Sequence, residues 1–430
     1  MTRLLAACLL AIPLVWAGVS WAQDAKTDKR EDGAPVRPPT KVTQFISAAV
    51  FKKFESAQKS FDAKNYQEAI GTLDQLKSGY DKLNDYEKAT LWNTYATLYY
   101  TMDDLPKALD AYQNVLKQNN LPEGLRNSSL FAVAQLYFIT EQYRQTIKVL
   151  TQWFKLVQDV QPDAHMLMAQ AHYQLQDYAA AEKSVLQALR IAQQRKQVPK
   201  ENWLALLRAV YYELENFERT AKILELLVAY YPRETYWLQL AGVYGLLEKQ
   251  KDQLATLRAA YEANMLSREA QLLDLARLYM IQEAPYPAVK VLKRGFAEGK
   301  IKEEAGNLQL YAQALSLAQE YEAQIPVLEK LAAVSNQASH FLLLGQAHME
   351  LGHYDKSTQA FRSALQARKL ERPGEARMLL GTSLYNQNEF SQAREVFRAV
   401  LEDKKFAEQA ESWVNFMTAE IQRRQVLVSQ

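Results

Sequence analysis

Apolar and small residues recur at helical spacing along most of this chain, in pairs of short segments. Trp92, Tyr95, Ala96 and Tyr99 are three or four residues apart, and a second segment begins around Ala108 after a short polar gap. Residues three or four apart share one face of an α-helix. Each segment therefore predicts an amphipathic helix, and each pair of segments predicts a helical hairpin.

Two small residues twelve positions apart mark most of these hairpins. In chain order the two marker positions are Ala57 and Ala69, Ala96 and Ala108, Ala134 and Thr146, Ala169 and Ala181, Arg208 and Thr220, Ala241 and Gln253, Ala276 and Ala288, Ala312 and Gln324, Gly345 and Ser357, and Gly381 and Ala393. The first markers span 324 residues in nine steps, a mean of 36. The sequence therefore predicts about ten hairpins that pack closely where side chains are short.

The arrangement Trp237-x2-Leu240-Ala241-x2-Tyr244 resembles the tetratricopeptide repeat, whose signature is W-x2-L-G-x2-Y followed by A-x3-F. The resemblance implies an all-α solenoid, a right-handed superhelix of helix-turn-helix repeats, over residues 41–404. It also implies an interaction scaffold without catalysis. Residues 405–425 predict a C-terminal helix that caps the last repeat, as solenoids require.

Some positions depart from the pattern. Arg208, Gln253 and Gln324 stand where a small residue is expected, which predicts irregular hairpins from the fifth to the eighth. Pro287 and Pro326 are expected in the first turns of their helices, because proline in a helix interior removes a hydrogen bond.

The N-terminus has the pattern of an export signal. Arg3 precedes an apolar run from Leu4 to Val19, and Ser20-Trp21-Ala22 is a small-x-small cleavage site. This predicts a Sec signal peptide over residues 1–22. The alternative is an uncleaved membrane anchor, because the run is nearly long enough to span a bilayer. Pro13 and the cleavage site favour removal of the segment.

The segment after the signal is charged and rich in proline, so residues 23–40 predict a disordered linker. Cys8, the one cysteine, follows Leu5-Ala6-Ala7 as in a lipoprotein acylation box, but few apolar residues precede it. Cleavage after Ala22 would leave no cysteine for a disulfide. We expect a periplasmic protein without a membrane span once the signal is removed.

Charge and motifs exclude several classes of function. With 51 basic and 49 acidic residues the formal net charge is +2, which disfavours a nucleic-acid partner. The sequence has no nucleophile elbow, phosphate loop or dinucleotide fingerprint. His340, His348 and His353 fall within fourteen residues, but the repeat register places them at three different points. We therefore expect no cofactor, no metal and no catalytic residue.

A candidate binding face follows from the repeat register. We number the residues of each first helix so that its first marker residue is position 8. The resemblance implies that positions 2, 5, 9, 12 and 13 line an inner groove. Our candidates at positions 9 and 12 are Gln58, Phe61, Tyr100, Gln135, Phe138, Gln170, Tyr173, Tyr212, Arg277, Gln313, Gln346 and Tyr385. Amide side chains can bond a peptide backbone, and aromatic faces can hold apolar, Arg or Pro side chains.

Two readings of this face stay open. The rings at position 12 either line the groove or pack against neighbouring helices. Gly242 and Gly245, likewise, either let a ligand approach the sixth hairpin or allow close helix contact. The charged clamp with which some tetratricopeptide proteins grip a terminal carboxylate is not apparent.

The leading functional hypothesis is a periplasmic adaptor that binds a peptide segment of an envelope protein. A signal, a short tether and repeats to the end resemble, more loosely, the periplasmic tetratricopeptide proteins of TonB, ExbB and ExbD energy-transduction systems. The alternatives are a structural subunit of an outer-membrane assembly or polysaccharide export machine, and an enzyme with a site between repeats. The identity of the partner and the oligomeric state stay open.

Overall fold

Helical hairpins make up most of the described part of the chain. The computed structural model describes residues 45–367 and 370–428, so the predicted signal peptide, the predicted linker and Cys8 lie outside the described residues. The described residues form 21 α-helices and no β-strand. Twenty of these helices pair into ten consecutive hairpins, and the last follows alone. The expected all-α architecture of packed hairpins with a C-terminal helix is confirmed.

The chain divides after Tyr231 into two compact units. The first unit contains five hairpins, and a single-turn 3-10 helix at Tyr80–Lys82 follows the first of them. Its helices are α1 (Ala48–Asp62), α2 (Tyr66–Lys77), α3 (Asp85–Thr101), α4 (Leu105–Leu116), α5 (Glu123–Ile139), α6 (Tyr143–Trp153), α7 (Pro162–Gln174), α8 (Tyr178–Gln194), α9 (Glu201–Glu213) and α10 (Phe217–Tyr230).

The second unit contains five further hairpins and the terminal helix. Its helices are α11 (Glu234–Leu246), α12 (Gln250–Glu262), α13 (Glu269–Ile281), α14 (Pro285–Ala297), α15 (Ala305–Leu317), α16 (Tyr321–Ser335), α17 (Ala338–Glu350), α18 (Tyr354–Gln366), α19 (Pro373–Asn386), α20 (Phe390–Arg398) and α21 (Ala407–Val428).

Every hairpin turns through the same hydrogen-bonded motif. In the first, the Lys64 N–H donates to the Phe61 carbonyl and the Asn65 N–H donates to the Ser60 carbonyl, both at 2.8 Å. This pair of bonds is the Schellman motif. Its left-handed residue lies seven positions after each first marker, at Lys64, Asp103, Glu141, Gln176, Glu215, Glu248, Glu283, Gln319, Gly352 and Asn388. Three residues therefore join the two helices of every hairpin.

The marker residues form the contacts inside each hairpin. Ala96, Ala108, Ala169 and Ala181 are fully buried, as short side chains between packed helices should be. Gln324 is also buried, and its Nε2 donates to the Ala312 carbonyl across the hairpin at 3.0 Å. The larger residue is thus accommodated within a hairpin that keeps the common turn.

One expectation about proline is wrong. Pro287 is the third residue of α14, within its first turn, but Pro326 is the sixth residue of α16. Proline cannot donate to the carbonyl four residues earlier, here that of Glu322. Both Glu322 and Pro326 are exposed, so that carbonyl lies where water can bond it.

The terminal helix covers the last hairpin. The Trp413 ring of α21 stacks on Phe397 of α20 with centroids 5.1 Å apart, and Ala410 and Met417 are fully buried. The helix thereby shields apolar side chains that would otherwise be open to solvent. None of the helices in the described ranges is both long and apolar enough to cross a bilayer.

Candidate functional site

The candidate rings at position 12 pack on the first residue of the second helix. Ring centroids are 5.5–5.8 Å apart in five hairpins: Phe61 with Tyr66, Phe138 with Tyr143, Tyr173 with Tyr178, Tyr212 with Phe217, and Tyr385 with Phe390. The partners are five residues apart, and the three-residue turn brings them together. Such aromatic pairs contribute about 0.5–1.5 kcal/mol beyond area burial. Each ring is therefore held in place by its own hairpin.

The rings differ in how much surface they offer. Tyr100 and Tyr212 are 38% and 48% exposed, whereas Phe61, Phe138 and Tyr173 are half-buried. These five rings recur at one position of five consecutive hairpins in the first unit. They form a partly exposed row that a ligand can contact without displacing the core.

Tyr385 has a different setting. Its ring lies 5.3 Å from Trp413 and 5.9 Å from Phe416, both on α21. Tyr385 is half-buried between its own hairpin and the terminal helix. Its ring packs against α21 and therefore leaves little surface for a ligand.

Position 9 places amides one helical turn before the rings. Gln58, Gln135 and Gln170 are half-buried in the first unit, and Gln313 and Gln346 are exposed and half-buried in the second. Positions 9 and 12 are three residues apart and share a helix face. The structure therefore sets Gln58 beside Phe61, Gln135 beside Phe138, and Gln170 beside Tyr173.

The amide of Gln58 is partly engaged. Its Nε2 donates to Asp62 Oδ1 at 2.7 Å, while its Oε1 is buried and accepts no hydrogen bond from another described residue. A buried amide oxygen without a partner is costly.

Arg277 is the one charged candidate. Its Nη1 lies 2.9 Å from Asp274 Oδ1 in an i,i+3 pair, and both side chains are more than half exposed. Exposed pairs of this kind contribute little to stability. Eight of the twelve candidates thus lie in the first unit, and Arg277, Gln313, Gln346 and Tyr385 lie in the second.

Burial raises the pKa of the Tyr173 hydroxyl. Desolvation raises the pKa of Tyr173, and the Glu213 carboxylate and Tyr178 raise it further, while Arg208 opposes them. A raised pKa leaves the phenol neutral at neutral pH, so Tyr173 can donate a hydrogen bond to an acceptor on a ligand.

The three clustered histidines occupy separate settings. His348 is buried in α17 with its Nδ1 unpaired among the described residues, and His353 is exposed at the following turn with its ring 5.9 Å away. His340 is buried, and its Nδ1 lies 2.5 Å from Ser335 Oγ. Their side chains do not converge on one point.

The two glycines of the sixth hairpin have different surroundings: one leaves the backbone open to a ligand, and the other allows close contact between helices. A Cβ atom on Gly242 would have no atom within 4 Å, so the backbone there is open to a ligand. A Cβ atom on Gly245 would lie 3.0 Å from Gln253 Nε2. Gly245 therefore makes room for the large residue at the second marker position.

Sequence reasoning missed two features of this face. The aromatic partners that begin the second helices were not recognised, although a Tyr or Phe stands five residues after position 12 in several hairpins. Exposed aliphatic residues at position 13, Leu246, Ile281 and Leu317, were also missed. Their recurrence at intervals of 35 and 36 residues was the available signal.

The profile of the tetratricopeptide repeat matches residues 162–195, which cover α7 and α8, and residues 342–409, which run from α17 into α21. The chain contains tetratricopeptide repeats at these two places. The two matches lie in different units, and each coincides with hairpins of the common register. No curated protein matches this chain.

Solved structures resemble it at low identity. A tetratricopeptide repeat protein from Parabacteroides merdae is 14% identical, with a TM-score of 0.39, and the match covers 63% of this chain and all of that one. The TPR2AB domain of yeast Sti1 in complex with pHSP90 is 16% identical, with a TM-score of 0.33, over 64% of this chain and 98% of that one. The Naa15/Naa10 structure with HypK-THB is 15% identical, with a TM-score of 0.42, over 85% and 66% respectively. At these values the likeness carries no functional argument.

Proposed function

We propose that this tetratricopeptide repeat protein is a non-catalytic periplasmic adaptor that binds a peptide segment of an envelope partner protein. Tetratricopeptide repeats are protein-interaction modules, which supports binding as the general role. The finer assignment rests on the first helices of the first unit. There the five rings at position 12 form what we call the aromatic row: Phe61, Tyr100, Phe138, Tyr173 and Tyr212. Amides at position 9 accompany three of them.

The single observation that carries this proposal is the pre-positioning of those side chains. Phe61, Phe138, Tyr173 and Tyr212 are each fixed by an aromatic partner across the turn, so binding a ligand costs them little additional order. Gln58, Gln135 and Gln170, at position 9 of the first, third and fourth hairpins, supply donors and acceptors beside three of these rings. This combination suits a peptide whose backbone is bonded and whose side chains rest on the rings.

The export signal predicted from the sequence supports a periplasmic location, and a component of TonB-type energy transduction is the partner class that we favour. Intact mass of the protein from a periplasmic extract tests the location. A mass that corresponds to a chain beginning at Gln23 supports it. An uncleaved or lipid-modified chain would instead place the protein on the membrane.

The binding face is tested by a double variant. We expect Tyr100→Ala with Tyr212→Ala to reduce capture of the wild-type partner from envelope extracts about tenfold, since each loses an exposed ring from the row. Helix content by circular dichroism should be unchanged, because both rings lie at the surface.

Tyr230→Ala is the matched control. Tyr230 is an exposed tyrosine at the end of α10, in the same unit but on a second helix. Its replacement should leave capture unchanged. Undiminished capture by the folded double variant would remove this face from consideration.

A further inference from the structure

The exposed surface of the second helices in the third and fourth hairpins is basic. Residues 141–200 contain eight Lys or Arg and five Asp or Glu residues, a formal charge of +3, whereas the rest of the chain has a formal charge of −1. The exposed charges lie mainly on α6 and α8, and not on the first helices that carry the candidate peptide-binding face. The positive charge of the protein is therefore concentrated in one part of the first unit.

Each of the two helices has a stripe of exposed basic residues. On α6, Arg144 and Lys148 are four residues apart, and Lys155 follows seven positions later, just after the helix ends. On α8, Lys183 and Arg190 are seven residues apart. These spacings place the members of each stripe on one side of their helix. We call these five residues the basic surface.

The charge of the basic surface is not neutralised within the protein. Among the described residues, the five members of the basic surface form no ion pair. Four of the five acidic residues in this stretch lie within 3.2 Å of another Arg, Lys or His nitrogen: Asp159 with Arg195, Asp163 with Lys200, Asp177 with His172, and Glu182 with Arg219. The fifth, Glu141, is exposed at the turn before α6. The basic surface is thus open to an anionic partner.

The two stripes belong to neighbouring parts of the first unit. Both α6 and α8 pack against α7. The connections that follow them are bonded to each other, because Arg195 donates from Nη2 to Asp159 Oδ1 and from Nη1 to Gln161 Oε1, both at 2.6 Å. Lys155 and Lys196 lie in these two connections and are exposed. One partner can therefore contact both stripes.

Exposed aliphatic side chains accompany the charges. Leu156 directly follows Lys155 and is 41% exposed. Leu186 lies on the same side of α8 as its stripe, and Val198 lies in the connection after α8; they are 40% and 60% exposed. Aliphatic side chains among basic ones suit a lipid surface, because they can enter between the headgroups that the basic groups attract. A soluble polyanion would leave them in water.

We propose that the basic surface binds an anionic lipid membrane. Its Lys and Arg side chains lie at the headgroup phosphates, and Leu156, Leu186 and Val198 enter between the headgroups. A fluid lipid surface offers anionic groups at no fixed spacing, so this binding requires no particular distance between α6 and α8. The inference goes beyond the proposed peptide binding and concerns other helices.

The test is co-sedimentation with lipid vesicles. The protein is the chain from Gln23, which contains every described residue and lacks the apolar run of the predicted signal, since that run would itself enter a bilayer. We expect at least about tenfold stronger binding to vesicles that contain phosphatidylglycerol than to vesicles of phosphatidylcholine alone. Binding should weaken as salt is raised, because attraction between exposed charges is screened.

A charge variant locates the binding. It carries four substitutions on the two helices: Arg144→Gln, Lys148→Gln, Lys183→Gln and Arg190→Gln. Each basic residue near an anionic membrane strengthens binding roughly fivefold, so their combined loss should weaken binding at least about tenfold.

The matched control removes the same amount of charge from the same unit. It carries Gln in place of four exposed lysines in or beside the first two hairpins: Lys52, Lys64, Lys82 and Lys117. It should bind the anionic vesicles as the unchanged chain does. Circular dichroism should show the same helix content in both variants, because all the replaced residues are exposed.

The aliphatic residues distinguish a membrane from a soluble polyanion. Leu156→Ser with Leu186→Ser should weaken vesicle binding about threefold, and this loss should persist at high salt because it is not electrostatic. Soluble polyphosphate is the probe for the alternative. Binding of polyphosphate without binding of anionic vesicles would assign the surface to a soluble polyanion and overturn the inference.

Three further outcomes would contradict membrane binding by this surface. They are equal binding to the two kinds of vesicle, an equal loss in the matched control, and unchanged vesicle binding by the double serine variant. Tyr100→Ala with Tyr212→Ala should retain vesicle binding, so failure of this inference is distinguishable from failure of the proposed function.

Discussion

At the residue scale, side chains on the two helices of a hairpin are matched in size. Where the first marker is alanine, as at Ala57, the facing residue four positions beyond the second marker is often leucine, as at Leu73. Where the marker is Gly345, the facing residue is Phe361, and a Cβ atom on the glycine would overlap that ring. At Gly381 the added Cβ would lie 2.5 Å from Phe397 Cε1. Glycine thus admits the larger ring.

We expect Gly345→Ala to destabilise the protein by about 1–3 kcal/mol through overpacking. Gly242→Ala should instead stabilise it by about 0.5–1 kcal/mol, since alanine is the better helix former and the site is open. Urea unfolding measures both effects. Combining Gly345→Ala with Phe361→Leu should recover part of the loss, and strictly additive effects would contradict the size match.

The buried imidazoles make stability depend on pH. Burial lowers the pKa of His165, His340 and His348, and nearby Lys356 and His353 lower that of His348 further, against Glu329 and Asp355. The folded state therefore resists protonation that the unfolded chain accepts below a pH of about 6.5. Stability present above that pH is lost as the pH falls towards the depressed values.

We expect the urea concentration at half-unfolding to decrease when the pH is lowered from 7.5 to 5. In His348→Leu this decrease should be smaller, because one of the buried imidazoles that resist protonation is gone. If the two proteins lose the same stability over this interval, burial of His348 does not control the acid response.

At the element scale, the common turn determines the hairpin. Ten Schellman motifs place a left-handed residue at the same register position, and only Gly352 among them is glycine. For other residues this conformation costs about 1–2 kcal/mol. The left-handed residue is nevertheless retained in every hairpin, because this turn places the two antiparallel helices at the short distance that the small marker side chains allow.

Removing a glycine at this position should lower the stability of the protein, and introducing one should raise it. Gly352→Ala should cost about 1 kcal/mol, and Lys64→Gly should stabilise by a somewhat smaller amount, because glycine also loses more entropy on folding. Thermal unfolding of both variants provides the measurement. Stabilisation by Gly352→Ala would show that the turn is not strained.

The number and the positions of the hairpins could be predicted from the sequence. The spacing of Ala57, Ala96 and the later markers predicted ten hairpins, because helical periodicity and small contact residues are local signals. The position of Pro326 was predicted wrongly, because a residue tolerated on a solvent face leaves no distinct local pattern. The pairing of Phe61 with Tyr66 was missed because it depends on how the turn folds back.

At the scale of the whole molecule, the two units present different surfaces on their first helices. The first unit carries the aromatic row at position 12, and the second carries the exposed aliphatic residues Leu246, Ile281 and Leu317 at position 13. The candidate residues for the first surface could be named from register alone. Register also places Leu246, Ile281 and Leu317 at one position, but their exposure could not be predicted, because it depends on which neighbouring side chains are absent.

The most direct measurement of peptide binding is site-specific photocrosslinking in intact cells. A photoreactive phenylalanine analogue replaces Tyr100, Tyr173 or Tyr212 in turn, and mass spectrometry identifies the crosslinked segment. We expect all three sites to capture one continuous segment of a single envelope protein, in an order that follows the repeats, while the analogue at Tyr230 captures none of it. Capture of that segment equally at Tyr230, or of unrelated segments at the three sites, would contradict binding of a peptide along the aromatic row.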